Sequence, residues 1–66
     1  MNLRDLRKAK NLTQSELAMR VGVTQTYIGA LEKGRRTNPS MGVITGIARE
    51  LGVKASKVLE VLSKAV

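Results

Sequence analysis

The sequence predicts an all-α protein, a compact bundle of five short helices, and three observations predict it. Apolar residues recur at spacings of three and four along most of the 66 residues. Helix-capping residues stand just ahead of these runs: Thr13 with Glu16 three positions on, Thr24, and Ser40 after Pro39. Glycines close the runs at Gly22, Gly34 and Gly52, where a left-handed residue ends a helix at no steric cost.

In chain order, helix 1 is expected over about residues 2–10, with Leu3 and Leu6 facing inward and Leu12 continuing the apolar surface. Helix 2 is expected over 14–21. Thr13 and Glu16 form its capping box, with Leu12 and Leu17 as the hydrophobic staple. Its inward residues are Leu17, Ala18 and Val21, and Ser15 and Met19 lie on the outer face. Helix 3, over about 25–33, repeats the grammar with Thr24 as cap and Val23 and Ile28 as staple. Ile28 and Leu31 turn inward, leaving Gln25, Thr26, Tyr27, Gly29, Ala30 and Lys33 outside. Helix 4, over 41–51, carries Met41, Ile44, Ile47, Ala48 and Leu51 as its buried stripe, interrupted by Gly42 and Gly46. Helix 5, over about 55–64, offers Val58, Leu59 and Leu62. Val61 and Val66 are further apolar residues that one small core need not consume.

Composition excludes several classes of function. Cysteine and histidine are absent, which removes disulfides, the usual zinc sites and imidazole acid–base chemistry. The five carboxylates are scattered, so no catalytic residues, metal or cofactor are expected, nor an enzyme. Arg4, Asp5, Arg7 and Lys8 occupy the place where a signal peptide needs an apolar run. No stretch approaches the roughly 20 apolar residues of a membrane span. A cytoplasmic protein is expected. Tyr27 is the only aromatic residue, so the core is aliphatic, and a chain this short buries only about 60% of its unfolded surface. The formal charge of +7 favours polyanions, chiefly nucleic acid.

Residues 13–34 read as two short helices around a tight turn at Val21-Gly22-Val23, the pattern of a helix-turn-helix. LTQSELA, VGVTQTYI, ALEKG, the loop RRTNPS and IARELGV, in that order and spacing, resemble the Cro and phage-repressor (XRE) family of DNA-binding domains. The resemblance runs from about Leu3 to Leu62. It implies a lambda-repressor-like fold over a single domain, 1–66. The implied function is a transcriptional regulator that binds double-stranded DNA as a homodimer.

Helix 3 would then enter the major groove with its N-terminal residues at the base edges. Gln25 can pair its amide with adenine N6 and N7. Thr26 offers a hydroxyl and a methyl, and Ala30 lies one turn on, within reach of a thymine methyl. Gly29 costs about 1 kcal/mol in a helix interior, which close approach of backbone to DNA would explain. Gln14, Thr24 and Tyr27 are assigned to phosphates or groove edges, with Gln14 also bracing Gln25. Lys33, Arg35 and Arg36 would clamp the flanking phosphates. The resemblance also implies an ion pair between Arg7 and Glu32 that orients helix 3.

Activating members of the family carry acids on the outer face of helix 2. Ser15 and Met19 stand there instead, which points to repression, although contact with RNA polymerase or a partner protein is a further expectation. Val58, Val61 and Leu62 are assigned to the dimer contact. Lys54 replaces the Ser or Thr that usually caps helix 5 and weakens its start. Two other readings compete: a restriction–modification controller, which VTQTYIGALEKGRR also resembles, and an antitoxin or other protein-interaction module using helix 5.

Overall fold

A computed structural model of the chain describes residues 2–35 and 39–63. Five helices follow one another: α1 (Leu3–Ala9), α2 (Gln14–Val21), α3 (Gln25–Glu32), α4 (Met41–Leu51) and α5 (Ala55–Ser63). Among the described residues there is no strand.

The helix starts are fixed by side chains that satisfy the first unpaired amides. At α2, the Glu16 amide donates to Thr13 Oγ1 at 3.0 Å and the Thr13 amide donates to Glu16 Oε1 at 2.9 Å. Thr24 accepts from the Tyr27 amide at 3.1 Å, and Ser40 from the Val43 amide at 3.3 Å. A further box caps α1: Asn2 Oδ1 accepts from the Asp5 amide at 2.9 Å, and Asp5 Oδ2 from the Asn2 amide at 3.1 Å. The turn of the motif depends on Gly22, whose φ of +90° lets both its own amide and that of Val23 reach the Ala18 carbonyl. Asn11, at φ +57°, performs the corresponding reversal after α1. α5 begins at Ala55 despite Lys54. The Lys57 and Val58 amides donate to the Lys54 carbonyl at 2.9 and 3.2 Å.

Those hydrogen bonds at Thr13 hold the Glu16 carboxyl below its ordinary value, first through the Thr13 backbone amide and then through the Thr13 hydroxyl. A depressed folded value means stability that is present above the unfolded value and lost as pH falls through the folded one. Glu16→Gln is therefore expected to be less stable than the wild type at pH 7, where the contribution of the carboxylate is fully present, and to converge on it as pH falls below about 4.5, so that its acid limb is flatter. Urea midpoints of both proteins between pH 2 and 7 check this, and parallel acid limbs would count against it.

The core is a single aliphatic cluster. Leu3 and Leu6 of α1, Leu17 and Ala18 of α2, and Ile28 and Leu31 of α3 meet Ile44, Ile47, Ala48 and Leu51 of α4 and the inner face of α5. α2 packs on α3 and α4, α5 on α4 and α1, and α1 also touches α3. Gly46 marks the close approach of α4 to α2: a Cβ there would lie 3.3 Å from Val21 Cγ1. At Gly42 a Cβ would meet only Ser40 Oγ, at 3.9 Å, so no neighbour requires that glycine.

Two expectations about apolar residues need correction. Met41 is 63% exposed. It is the first residue of α4, and helical side chains lean toward the N-terminus, which carries this one past the packed layer. Val58, Val61 and Leu62, assigned from the sequence to a dimer contact, are only 0%, 1% and 4% exposed. They form the stripe by which α5 closes the core, so they offer nothing to a second copy. Val66 and Lys64 lie outside the described residues.

Candidate nucleic-acid interface

The position of α3 is set from beneath by Ile28 and Leu31, both fully buried, and from its C-terminal end by a polar network. The Arg7 guanidinium meets Glu32 with Nε 2.6 Å from Oε2, and its second nitrogen donates to Oε1 at 3.4 Å. Its remaining arm donates to the Leu12 carbonyl at 2.7 Å. Gln14 Nε2 donates to Glu32 Oε1 at 3.0 Å. One carboxylate thus ties α1, α2 and α3 together, and Arg7 also fixes the α1–α2 connection. The two charged side chains are 8% and 5% exposed. Burial of this depth is tolerable because the guanidinium fork matches the carboxylate and the other polar atoms find partners. Among the described residues no buried side-chain polar atom lacks a hydrogen-bond partner.

The outer face of α3 forms a shallow groove. Gln25, Thr26, Gly29 and Ala30 line it together with Gln14, Lys33 and Arg35. The structure thus brings together all four residues assigned to base contacts and three of those assigned to phosphates. Gln25, Thr26, Lys33 and Arg35 are exposed, and Gly29 and Ala30 are half-buried. Thr24 is exposed, but its hydroxyl oxygen is occupied as the cap of α3. Tyr27 is half-buried with its ring packed against the core. Gln14 is half-buried, and its brace runs to Glu32 at the far end of α3 instead of to Gln25. One amide N–H and the carbonyl lone pairs remain to it. Arg36 lies outside the described residues.

Charge is distributed unevenly around this groove. Glu16 and Asp5 are held in capping boxes, and Glu32 faces Arg7. Glu50 meets Arg20 at 3.5 Å, and Glu60 meets Lys57 at 3.8 Å. Every Asp and Glu side chain is thereby engaged within the fold, and none lines the groove on α3. Among the described residues no acidic cluster could hold a metal ion, and no helix is long and apolar enough to cross a membrane. The Gln14–Glu32 bond had no local signal, since the partners are 18 positions apart.

Gly29 separates two requirements. A Cβ there would lie 3.6 Å from Gln14 Nε2, an ordinary contact, so the fold has room for alanine. Gly29→Ala is expected to stabilise the domain by up to about 1 kcal/mol through helix propensity. If the α3 backbone approaches DNA, the same methyl weakens binding. Thermal melts and duplex titrations check both halves. A stabilised variant with unchanged affinity would remove Gly29 from the interface.

Two short helices at this turn, with an exposed polar α3 and a buried anchor beneath it, constitute a helix-turn-helix. The helix-turn-helix family model matches residues 3–58, and the chain belongs to that family. It is 56% identical over 50 residues to an uncharacterized HTH-type transcriptional regulator of Methanothermobacter thermautotrophicus, covering 76% of this chain and 71% of the relative. It is 31% identical to the HTH-type transcriptional regulator SinR of Bacillus subtilis, over 88% of this chain and 52% of SinR. Identity to the immunity repressor protein of Bacillus phage phi105 is 30%, over 86% of this chain and 39% of the repressor. The chain thus spans about half of SinR and less of the phage protein. No solved structure matches it.

Proposed function

We propose that the protein is a sequence-specific, double-stranded-DNA-binding transcription regulator, a repressor that acts as a homodimer on a near-palindromic operator with α3 in the major groove. One observation carries this reading. The four small or uncharged residues suited to base edges, Gln25, Thr26, Gly29 and Ala30, line one groove with Lys33 and Arg35. Uncharged groups read bases and the cations hold phosphates, so the division of labour follows from residue type. The names of SinR and of the phage immunity repressor agree with regulation, and with repression in the second case.

The competing reading of a protein-interaction module drew on spare apolar surface along α5. Val58, Val61 and Leu62 are consumed by the core, which reduces that support to Leu59, the exposed large apolar residue of α5. The dimer contact proposed here therefore uses some surface other than those three residues.

The test is selection of bound duplexes from a random pool at near-physiological salt. An inverted repeat with half-site centres about 34 Å apart, one turn of B-DNA, is expected. Recovery of an asymmetric single site would overturn the dimer, and recovery of no motif would overturn sequence-specific recognition.

A further inference from the structure

We infer that α1 carries a second phosphate-binding surface, formed by Arg4 and Lys8, which grips the DNA backbone on the side of α3 away from Arg35. The inference rests on the reading of α3 as the base-reading helix.

Arg4 and Lys8 are four residues apart and both exposed, so they share one face of α1. Apart from the exposed Ala9, the other positions of the helix are already committed. Leu3 and Leu6 lie in the core, Arg7 is held by Glu32, and Asp5 is locked into the capping box with Asn2. Among the described residues neither Arg4 nor Lys8 belongs to an ion pair. The one carboxylate on α1 is thus occupied by backbone amide, and two uncompensated cations remain beside it.

Their placement says what they face. Arg4 and Lys8 line an open concavity together with Asn11, Gln14, Gln25 and Lys33, and the Arg7–Glu32 pair contributes to its wall. Gln14, Gln25 and Lys33 line the groove over α3 as well, so the two depressions meet along those three residues. Arg35 lines only the α3 groove, whereas Arg4 and Lys8 line only the α1 concavity. A helix lying in a major groove about 12 Å wide has a sugar–phosphate backbone on either side. Cations on two sides of one base-reading strip, with neutral amides between them, fit that geometry. An acidic peptide would satisfy the cations too, but the residues shared with the α3 groove favour the ligand that α3 itself binds.

The experiment compares the wild type, the charge-removing double variant Arg4→Gln/Lys8→Gln, and the charge-keeping Arg4→Lys/Lys8→Arg. Each is titrated between 50 and 200 mM salt against a duplex recovered by selection and a scrambled duplex of equal length. Removing one cation from a phosphate makes the plot of log affinity against log salt shallower by about 0.9, so removing both gives about 1.8 per bound subunit. The advantage of wild type over the charge-removing variant is then expected to shrink about twelvefold for each bound subunit across that range, about 150-fold for a bound homodimer, equally on both duplexes. The charge-keeping variant should retain the wild-type slope. Both positions are exposed, and matching melting curves establish that the fold is intact.

An unchanged slope in Arg4→Gln/Lys8→Gln overturns the inference, as does a loss confined to the selected duplex. Equal wild-type binding to both duplexes would instead overturn the operator, while the slope on scrambled DNA still decides the role of α1. A wild type that binds neither duplex overturns both.

Discussion

Arg7→Ala is expected to lose about 3–5 kcal/mol of stability, because it strands the Glu32 carboxylate at 5% exposure with Gln14 as its remaining side-chain partner. Stability of about 0.05–0.15 kcal/mol per residue leaves a domain of this length only roughly 3–10 kcal/mol in all. A substantial fraction of the variant should therefore be unfolded at 25 °C. Ligand-free urea unfolding measures the loss directly. The double replacement Arg7→Met/Glu32→Leu separates charge from shape. Removing both charges strands no charge and is expected to restore part of the stability, since apolar residues of similar volume often replace buried ion pairs without loss, although the Leu12 carbonyl and the Gln14 amide lose their partners. What the double variant lacks is the polar tie among α1, α2 and α3, so it should be folded yet bind DNA less tightly. A loss below about 1 kcal/mol in Arg7→Ala would mean the pair behaves like an exposed one.

Gln25→Ala is expected to cost about 1–3 kcal/mol on the selected duplex and nothing on a scrambled one. Gln25 is exposed at the first turn of α3, so folding should be unaffected. Arg35→Ala should differ in kind, weakening binding to both duplexes alike, because a phosphate contact carries no sequence information. A Gln25→Ala loss of equal size on both duplexes would assign the side chain to the backbone and remove it from base reading.

The helix boundaries were legible because the signals that set them are local. Thr13 with Glu16, Thr24, Ser40 and Gly22 each act within a few residues, and the bounds of α2 and α4 follow from them. The box at Asn2 and Asp5 has the same spacing and was open to the same reasoning. The outer face of α3 was also legible, since buried Ile28 and Leu31 fix which residues point away.

What depends on tertiary assembly was not legible. Counting apolar residues on α5 cannot tell how much of the stripe α1 and α4 will cover, and they cover Val58, Val61 and Leu62 completely or nearly so. Met41 fits the spacing of its helix but stands beyond the layer that the spacing serves. The bond from Gln14 to Glu32 requires α2 and α3 to be docked before the partners come within reach. Arg4 and Lys8 gain meaning only once α1 is seen to share a concavity with Gln25.

The most direct single measurement is the wild-type affinity for its selected duplex divided by that for a scrambled duplex of the same length, both at about 0.15 M salt. Reading of base edges by α3 predicts a ratio of about 10³ or more. A ratio near one, with binding to both duplexes collapsing as salt rises, would show that charge alone attracts DNA and that Gln25 and its neighbours read nothing.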